Sequence, residues 1–273
     1  MGLRVNTNIA AMNAQRNLFQ VTSRLQGNFA RLSSGLRIAT AADDAAGLGI
    51  SERMRSDIRS FGVAARNAQD GVSLAQTAEG SLNEVSNLLT RMRELALQST
   101  NGTLSTTEDR ATLDTEFQEL LSEIDRIADQ TEFNGITILD GSTTTVSIQV
   151  GINAGETITV NLQDVNTAAL SIDSLDVASA GAASAALASL DSAINTINTA
   201  RGSLGASQNR MNSALASILN VRENLSAAES RIRDVDVAFE TADLTRNSIL
   251  QQAATSVLAQ ANVQPQLALS LIG

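Results

Sequence analysis

Histidine, cysteine, tyrosine, tryptophan and lysine are all missing from the 273 residues. Nucleophilic and general acid–base catalysis draws mainly on those side chains, and serine needs an activating base beside it. Only carboxylate chemistry stays open, so the composition points away from an enzyme. A zinc site of the usual kind loses both preferred ligands, and no cofactor or metal is expected. Without cysteine there are no disulfides, and stability has to come from packing and assembly. Such a chain suits a reducing compartment, or secretion in an unfolded state with no thiols to mispair.

Aromatics are only 2% of the chain, all six of them Phe, whereas 43% is hydrophobic. A compact enzyme core usually leans on large aromatics for volume. Here the apolar mass is Ala, Leu, Ile and Val, which suits helices packed closely along their length. No run approaches the roughly 20 apolar residues of a membrane span, so no membrane partner is expected. The opening Met1-Gly2-Leu3-Arg4-Val5-Asn6-Thr7-Asn8 has no apolar run of signal-peptide length, and any secretion is expected to avoid the Sec route. A net charge of −10 disfavours nucleic acid as a partner.

The charge is uneven. Up to Ala42 the charged side chains are Arg4, Arg16, Arg24, Arg31 and Arg37 alone. From Asp234 onward, Asp234, Asp236, Glu240 and Asp243 stand against the single Arg246. A basic amino-terminal arm and an acidic carboxy-terminal arm can attract one another; a solvated face on each helix is the plainer alternative.

Period is the strongest signal present. Leu18, Val21, Leu25, Phe29, Leu32 and Leu36 recur three and four apart, one apolar stripe on a helix. Gly35 and Ala39–Ala42 mark a break, and Asp43-Asp44 reads as the next helix start. Met54, Phe61, Ala68, Ala75, Leu82, Leu89 and Ala96 then fall every seven residues. Their flanking row changes sides from Ile58, Ala65 and Val72 to Ala78, Val85 and Met92, as a straight helix drifts against a seven-residue repeat.

Ser99–Thr103 is a turn, and a shorter helix is expected from about Thr106 to Gln130. The period then falls to two. Val146, Ile148 and Val150 alternate, Gly151–Gly155 turns, and Ile158, Val160 and Leu162 alternate back. That is a β-hairpin, with Asn134-Gly135 marking another tight turn before it. Ser174–Ser184 is small and flexible in composition. Beyond it Leu187, Leu190, Ile194, Ile197, Leu204, Met211, Leu215, Ile218, Leu225 and Ile232 fit a and d positions of a second long helix, which needs a partner. A final helical arm is expected from about Thr241 to Ala261, with Leu250, Ala254, Val257 and Ala261 on one side and Pro265 near the end of it. The fold class is therefore mainly α: an elongated helical hairpin or coiled-coil rod with a small β-hairpin region. Each arm alone is a marginal helix in water, so both are expected to order only when neighbouring subunits bury them.

At both ends the chain resembles bacterial flagellin. Ile9–Leu18, Arg31–Ile38 and Asp43–Leu48 look like the family's amino-terminal signature, and Arg231–Asp236 and Ile249–Asn262 like its carboxy-terminal one. Phe133-Asn134-Gly135, Gln149-Val150-Gly151 and Gly155–Ile158 resemble its hairpin region. The resemblance implies an inner core domain from residues 1–42 and 234–273. An outer core domain is implied from 43–182, with the hairpin at about 133–165, and from 183–233. It implies a secreted, extracellular, non-enzymatic filament subunit that forms a homopolymer through Leu18, Val21, Leu25, Phe29, Leu32, Leu36, Leu250, Ala254, Val257 and Ala261. The outer surface domains of larger flagellins are expected to be missing between hairpin and last long helix.

Other partners follow from the same resemblance. They are the flagellar type III export gate, an export chaperone on the carboxy-terminal arm, the filament cap and the hook-associated proteins. Arg91, Leu95 and Glu116 sit where flagellins contact the flagellin-sensing Toll-like receptor of hosts. The stretch from Ala30 to Ser51, with Asp43, Asp44, Gly47 and Leu48, resembles the epitope of the plant flagellin receptor. It departs from that epitope at Ala39-Thr40-Ala41-Ala42, where the family has polar residues and a lysine before the Asp43 position. The alternative reading is a hook–filament junction protein, which shares related terminal helices.

Overall fold

A computed structural model describes residues 7–105 and 108–270, with side chains described as far as residue 263. Arg4, Thr106 and the side chain of Pro265 lie outside the described residues. In chain order the elements are α1 (Ile9–Ser34), α2 (Ala45–Ser99), α3 (Asp109–Gln130), β1 (Glu132–Phe133) and β2 (Ile136–Thr137). There follow β3 (Thr145–Gln149), β4 (Thr157–Asn161), α4 (Ala180–Arg233) and α5 (Val237–Ser270). They fall into two compact units: residues 1–58 with 224–273, and residues 59–223.

Local chemistry explains where the helices start and stop. The Asn8 side chain accepts from Ala11 N at 3.0 Å, and Gly35, at φ 73°, ends α1 by donating to the Arg31 carbonyl. Only glycine takes that left-handed conformation at no cost. Asp44 opens α2, accepting from the amides of Ala46 and Gly47 at 3.0 and 2.9 Å, which satisfies orphan donors of the first turn. Asp236 does the same for α5 through Ala238 and Phe239. This arm helix therefore begins four residues before the expected Thr241, because the capping carboxylate stands at 236.

The central unit holds the apolar core. Of the seven-residue row of α2, Ala68, Ala75, Leu82, Leu89 and Ala96 are fully buried, as are Ala78, Val85 and Met92, whereas Met54 and Phe61 at its start are half-buried. From Ala75 onward these buried residues pack with Phe117, Leu121 and Ile124 of α3, with Ile158 and Val160 of β4, and with α4. Along α4 the buried apolar positions are Ala183, Ala186, Leu190, Ala193, Ile197, Ala200, Leu204, Met211 and Ile218. Leu187 and Ile194, expected in that seam, are only half-buried and flank it. Alanines at 183, 186 and 193 share the centre with Leu190, Ile197 and Leu204, because small side chains let the helices approach closely beside the large ones.

Val146 faces Val160 and Ile148 faces Ile158 across the antiparallel β3–β4 pair, so the period of two is realised in register. Asn134 and Gly135 take φ of 54° and 78° between β1 and β2, as a two-residue primed turn requires. The stretch before α4 is ordered rather than flexible. Ala180–Ser184 is already helical, with the Ser179 hydroxyl accepting from Ala182 N, because alanine is the best helix former. The irregular chain ahead of it is stapled to α3. Asp114 accepts from Val177 N, Gln118 donates to the Leu175 carbonyl, and Asp125 accepts from both the amide and the hydroxyl of Thr167.

Candidate assembly interface

The terminal unit is built on a different plan. Along α5 the residues turned inward are Glu240, Leu244, Asn247, Gln251, Ala254, Leu258 and Ala261, alternating four and three apart. Ala14, Leu18, Val21, Leu25, Asn28 and Leu32 do the same on α1. The two helices pair antiparallel. Asn8 donates to the Ala261 carbonyl at 2.7 Å, Asn28 bonds to Leu244 N and the Arg24 carbonyl, and Arg31 approaches Glu240 at 3.7 Å. The connectors are pinned too: Leu36 bridges Asp234, Arg37 N donates to the Arg233 carbonyl, and Val235 N donates to that of Gly35.

What this pairing buries is mostly small or polar. Among the described residues, Ala14, Ile38 and Ala261 are the buried hydrophobics of this unit, and the buried polar residues are Asn28, Ser51, Arg233, Glu240 and Asn247. Many of its large apolar side chains point outward, with Phe19 77%, Phe239 66% and Ile249 61% exposed, and Met12, Phe29, Val237 and Val257 also out, while Leu18, Val21, Leu25, Leu32, Leu244 and Leu258 are half-buried on the inner faces. Of the expected polymerisation residues, Leu18, Val21, Leu25, Leu32, Leu36 and Ala254 are half-buried between the arms and Ala261 is buried. Phe29, Leu250 and Val257 face away. Leu250 and Val257 line, with Val21, Arg24 and Ala254, a groove of about 380 Å³ beside the α1–α5 contact. Leu250 and Val257 are thus set apart from Ala254 and Ala261, because the heptad that meets α1 runs through 247, 254 and 261.

The other candidate residues are placed as follows. Arg91 donates to Glu116 at 2.9 Å and to Glu94 at 3.2 Å on the surface. Leu95 is turned into the core and is 1% exposed. Asp43 closes a turn, accepting from the amides of Ala39 and Thr40 and from the Thr40 hydroxyl. Those bonds, chiefly from Thr40, hold its carboxyl below the ordinary range. Gly47 leaves room for the Asp44 cap, since a Cβ there would meet Asp44 Oδ2 and Ile38 Cδ1 at 2.4 and 2.8 Å and one of those side chains would have to move. Leu48 is half-buried. Asp44 and Gly47 thus have a local structural use in starting α2.

Sequence patterns had not singled out Asn28, Arg233 or Asn247. Arg233 is buried and bonds Glu52 at 2.7 Å. The available signal was the seven-residue spacing of 240, 247, 254 and 261, hidden because its first two members are polar. Among the described residues no group of acidic side chains could hold a metal, and no helix is long and apolar enough to cross a membrane.

Comparison with known proteins agrees with this geometry. Residues 5–144 match the bacterial flagellin N-terminal helical region, and residues 187–272 the corresponding C-terminal helical region. The chain belongs to the bacterial flagellins. It is 48% identical to a flagellin of Halalkalibacterium halodurans over 98% of this chain and 99% of that one. To a flagellar filament 33 kDa core protein of Treponema phagedenis it is 43% identical, over 98% and 99%. A solved structure of a putative flagellar hook-associated protein from Vibrio parahaemolyticus superposes with a TM-score of 0.60, over 70% of this chain and all of that one. At 14% identity that last likeness shows a shared fold alone, so the junction-protein alternative is the less supported one. Both of these relatives are matched over nearly the full length of either chain.

Proposed function

We propose that this flagellin is a structural subunit of the flagellar filament and polymerises through the outward faces of α1 and α5. The reading rests on one observation: the arm pair exposes Phe19, Phe239, Ile249 and Val257 while burying Asn28, Asn247 and Glu240. Burying a large apolar side chain contributes about 1.5–3 kcal/mol, so several such residues per subunit supply a strong drive to associate. Large apolar side chains left exposed in this number on one helix pair mark an interaction site. In this reading residues 1–42 and 234–273 form the inner core of the filament and residues 43–233 its outer core. The filament is extracellular, and the subunit carries no catalytic activity.

Family likeness extends the reading to further partners. The subunit leaves through the flagellar type III export gate with a chaperone on its carboxy-terminal arm, then meets the cap and the hook-associated proteins. The Arg91–Glu116 pair is the candidate contact for a host Toll-like receptor.

Electron microscopy tests the core of this. Intact protein in assembly-promoting salt should form filaments, and protein trimmed of both arms should not. Leu250→Asp should also abolish polymerisation while leaving residues 59–223 folded by circular dichroism. Full-length filaments from either altered protein would defeat the arm-packing account.

A further inference from the structure

Two Asn-Gly pairs of the central unit stand at turns, Asn101-Gly102 just after α2 and Asn134-Gly135 between β1 and β2. In such a pair the glycine nitrogen can attack the side-chain carbonyl carbon of the asparagine, because no Cβ crowds its approach. The two turns differ in whether they oppose that attack or assist it.

At Asn134-Gly135 the backbone opposes it. Both residues have positive φ, and Phe133 pairs with Ile136 across the turn. The rotation that would swing the glycine nitrogen toward the side chain has to break that pairing.

At Asn101-Gly102 the surroundings assist. Thr103 N donates to Asn101 Oδ1 at 3.2 Å, an Asx turn that folds the side chain back over the following peptide. The same bond puts a donor on the oxygen that becomes negative as the nitrogen attacks. Arg110 Nη2 donates to the Asn101 carbonyl at 2.9 Å. That carbonyl and the attacking nitrogen belong to one peptide group, so the cation stabilises the anion left when the Gly102 N–H loses its proton. Asn101, Gly102 and Thr103 are exposed, and no described residue accepts from the Gly102 N–H, which leaves it open to hydroxide.

We propose that Asn101-Gly102 is a self-modification site, at which the fold accelerates loss of the side-chain amide. Hydroxide takes the Gly102 amide proton and the nitrogen forms a bond to Asn101 Cγ. The Cγ–Nδ2 bond then breaks, and ammonia leaves with a proton supplied by water. The cyclic imide takes up water at either carbonyl and opens to aspartate or isoaspartate. One water is consumed and one ammonia released, with no oxidant or cofactor. The product carries a new negative charge at the corner that Arg110 ties down, and the isoaspartyl form also lengthens the backbone by a methylene. All of this lies in residues 59–223 and is independent of the arm-polymerisation reading.

The test incubates the full chain in mildly alkaline buffer, with and without denaturing urea, and follows both sites by peptide mass spectrometry that resolves isoaspartate. In the folded chain Asn101 should convert about tenfold faster than Asn134, the effect of one well-placed hydrogen bond on a developing charge. It should also convert faster than it does in urea, where the two sites should react alike. Arg110→Gln should bring the folded Asn101 rate down toward its urea value. Gly102→Ala, where the added Cβ meets nothing within 4 Å, should keep the fold and suppress the conversion. Equal rates at the two sites of the folded chain, or an Asn101 rate no higher than in urea, overturns the proposal. So does a product that is aspartate alone, which direct hydrolysis of the amide would give.

Discussion

Arg110 Nε donates to the Ser99 carbonyl at 2.9 Å, at the point where α2 ends. Its Nη2 reaches the Asn101 carbonyl, also at 2.9 Å, and the Ser99 hydroxyl donates onward to the Val177 carbonyl at 2.5 Å. Arg110 is 4% exposed. A buried cation thus satisfies carbonyls at the negative end of the helix dipole and ties three stretches of chain together.

Arg110→Met should accordingly leave those carbonyls without donors. Buried groups that lose a charged partner cost about 1–3 kcal/mol each, so we expect the unfolding midpoint in urea to fall with the slope unchanged. A variant as stable as the parent would mean that water replaces the guanidinium.

Two glycines of α2 should respond in opposite directions. A Cβ on Gly71 would lie 2.6 Å from Met211 Sδ and 2.9 Å from Ile148 Cγ1, where the hairpin and α4 close on the helix. Gly71→Leu should therefore lower the melting temperature, through overpacking of about 1–3 kcal/mol. Gly80 has open space, and Gly80→Ala should raise it, as a helix-interior glycine costs roughly 0.5–1 kcal/mol relative to alanine. Calorimetry of the three proteins checks both signs.

The hairpin turn should be the acid-sensitive part of the central unit. Glu156 accepts from Asn153 Nδ2 at 3.0 Å and Asn153 N at 2.9 Å, and these bonds hold its carboxyl below the ordinary value. A depressed carboxylate contributes stability above its unfolded pKa and loses it as pH falls through the folded one. Protection of the Asn153 amide, relative to its intrinsic exchange rate, should fall below about pH 4.3 before the helices respond. Glu156→Gln should show the faster exchange already at neutral pH; unchanged exchange in that variant would refute the carboxylate's role.

Arg91 and Leu95 should separate surface recognition from packing. Arg91→Ala breaks an exposed pair with Glu116 and should leave the melting temperature unchanged. Leu95→Ala removes a side chain that is 1% exposed and should cost about 2–5 kcal/mol. Receptor-reporter cells given properly folded Arg91→Ala protein should respond less than to the parent. Loss of signalling only in Leu95→Ala, with matching loss of fold, would argue that the surface pair is not a contact.

Much of the architecture was legible from spacing. The seven-residue row from Ala68 to Ala96, the alternation at Val146–Val150 and Ile158–Leu162, the Asn134-Gly135 turn and the break at Gly35 each correspond to an observed element. They were readable because each is a local rule: helix period, strand period, positive φ, helix start. Burial depth was less accessible. Leu187 and Ile194 look like core yet flank it, while Ala183, Ala186 and Ala193 hold the centre, because depth depends on how near the partner helix comes.

The sequence by itself determined that this chain is helical, poor in catalytic chemistry, and carries a basic arm at one end and an acidic arm at the other. Those properties follow from residue type and period alone. Only the tertiary structure decided which face of each arm is inside. It turned Glu240, Asn247 and Asn28 inward and left Phe19, Phe239 and Ile249 outside. The pinned connectors, Leu36 on Asp234, set the pairing of α1 with α5, and a rotation of either helix is what separates a buried position from an exposed one. A stripe of apolar residues states that a helix needs a partner; the packing states which stripe is still waiting for one.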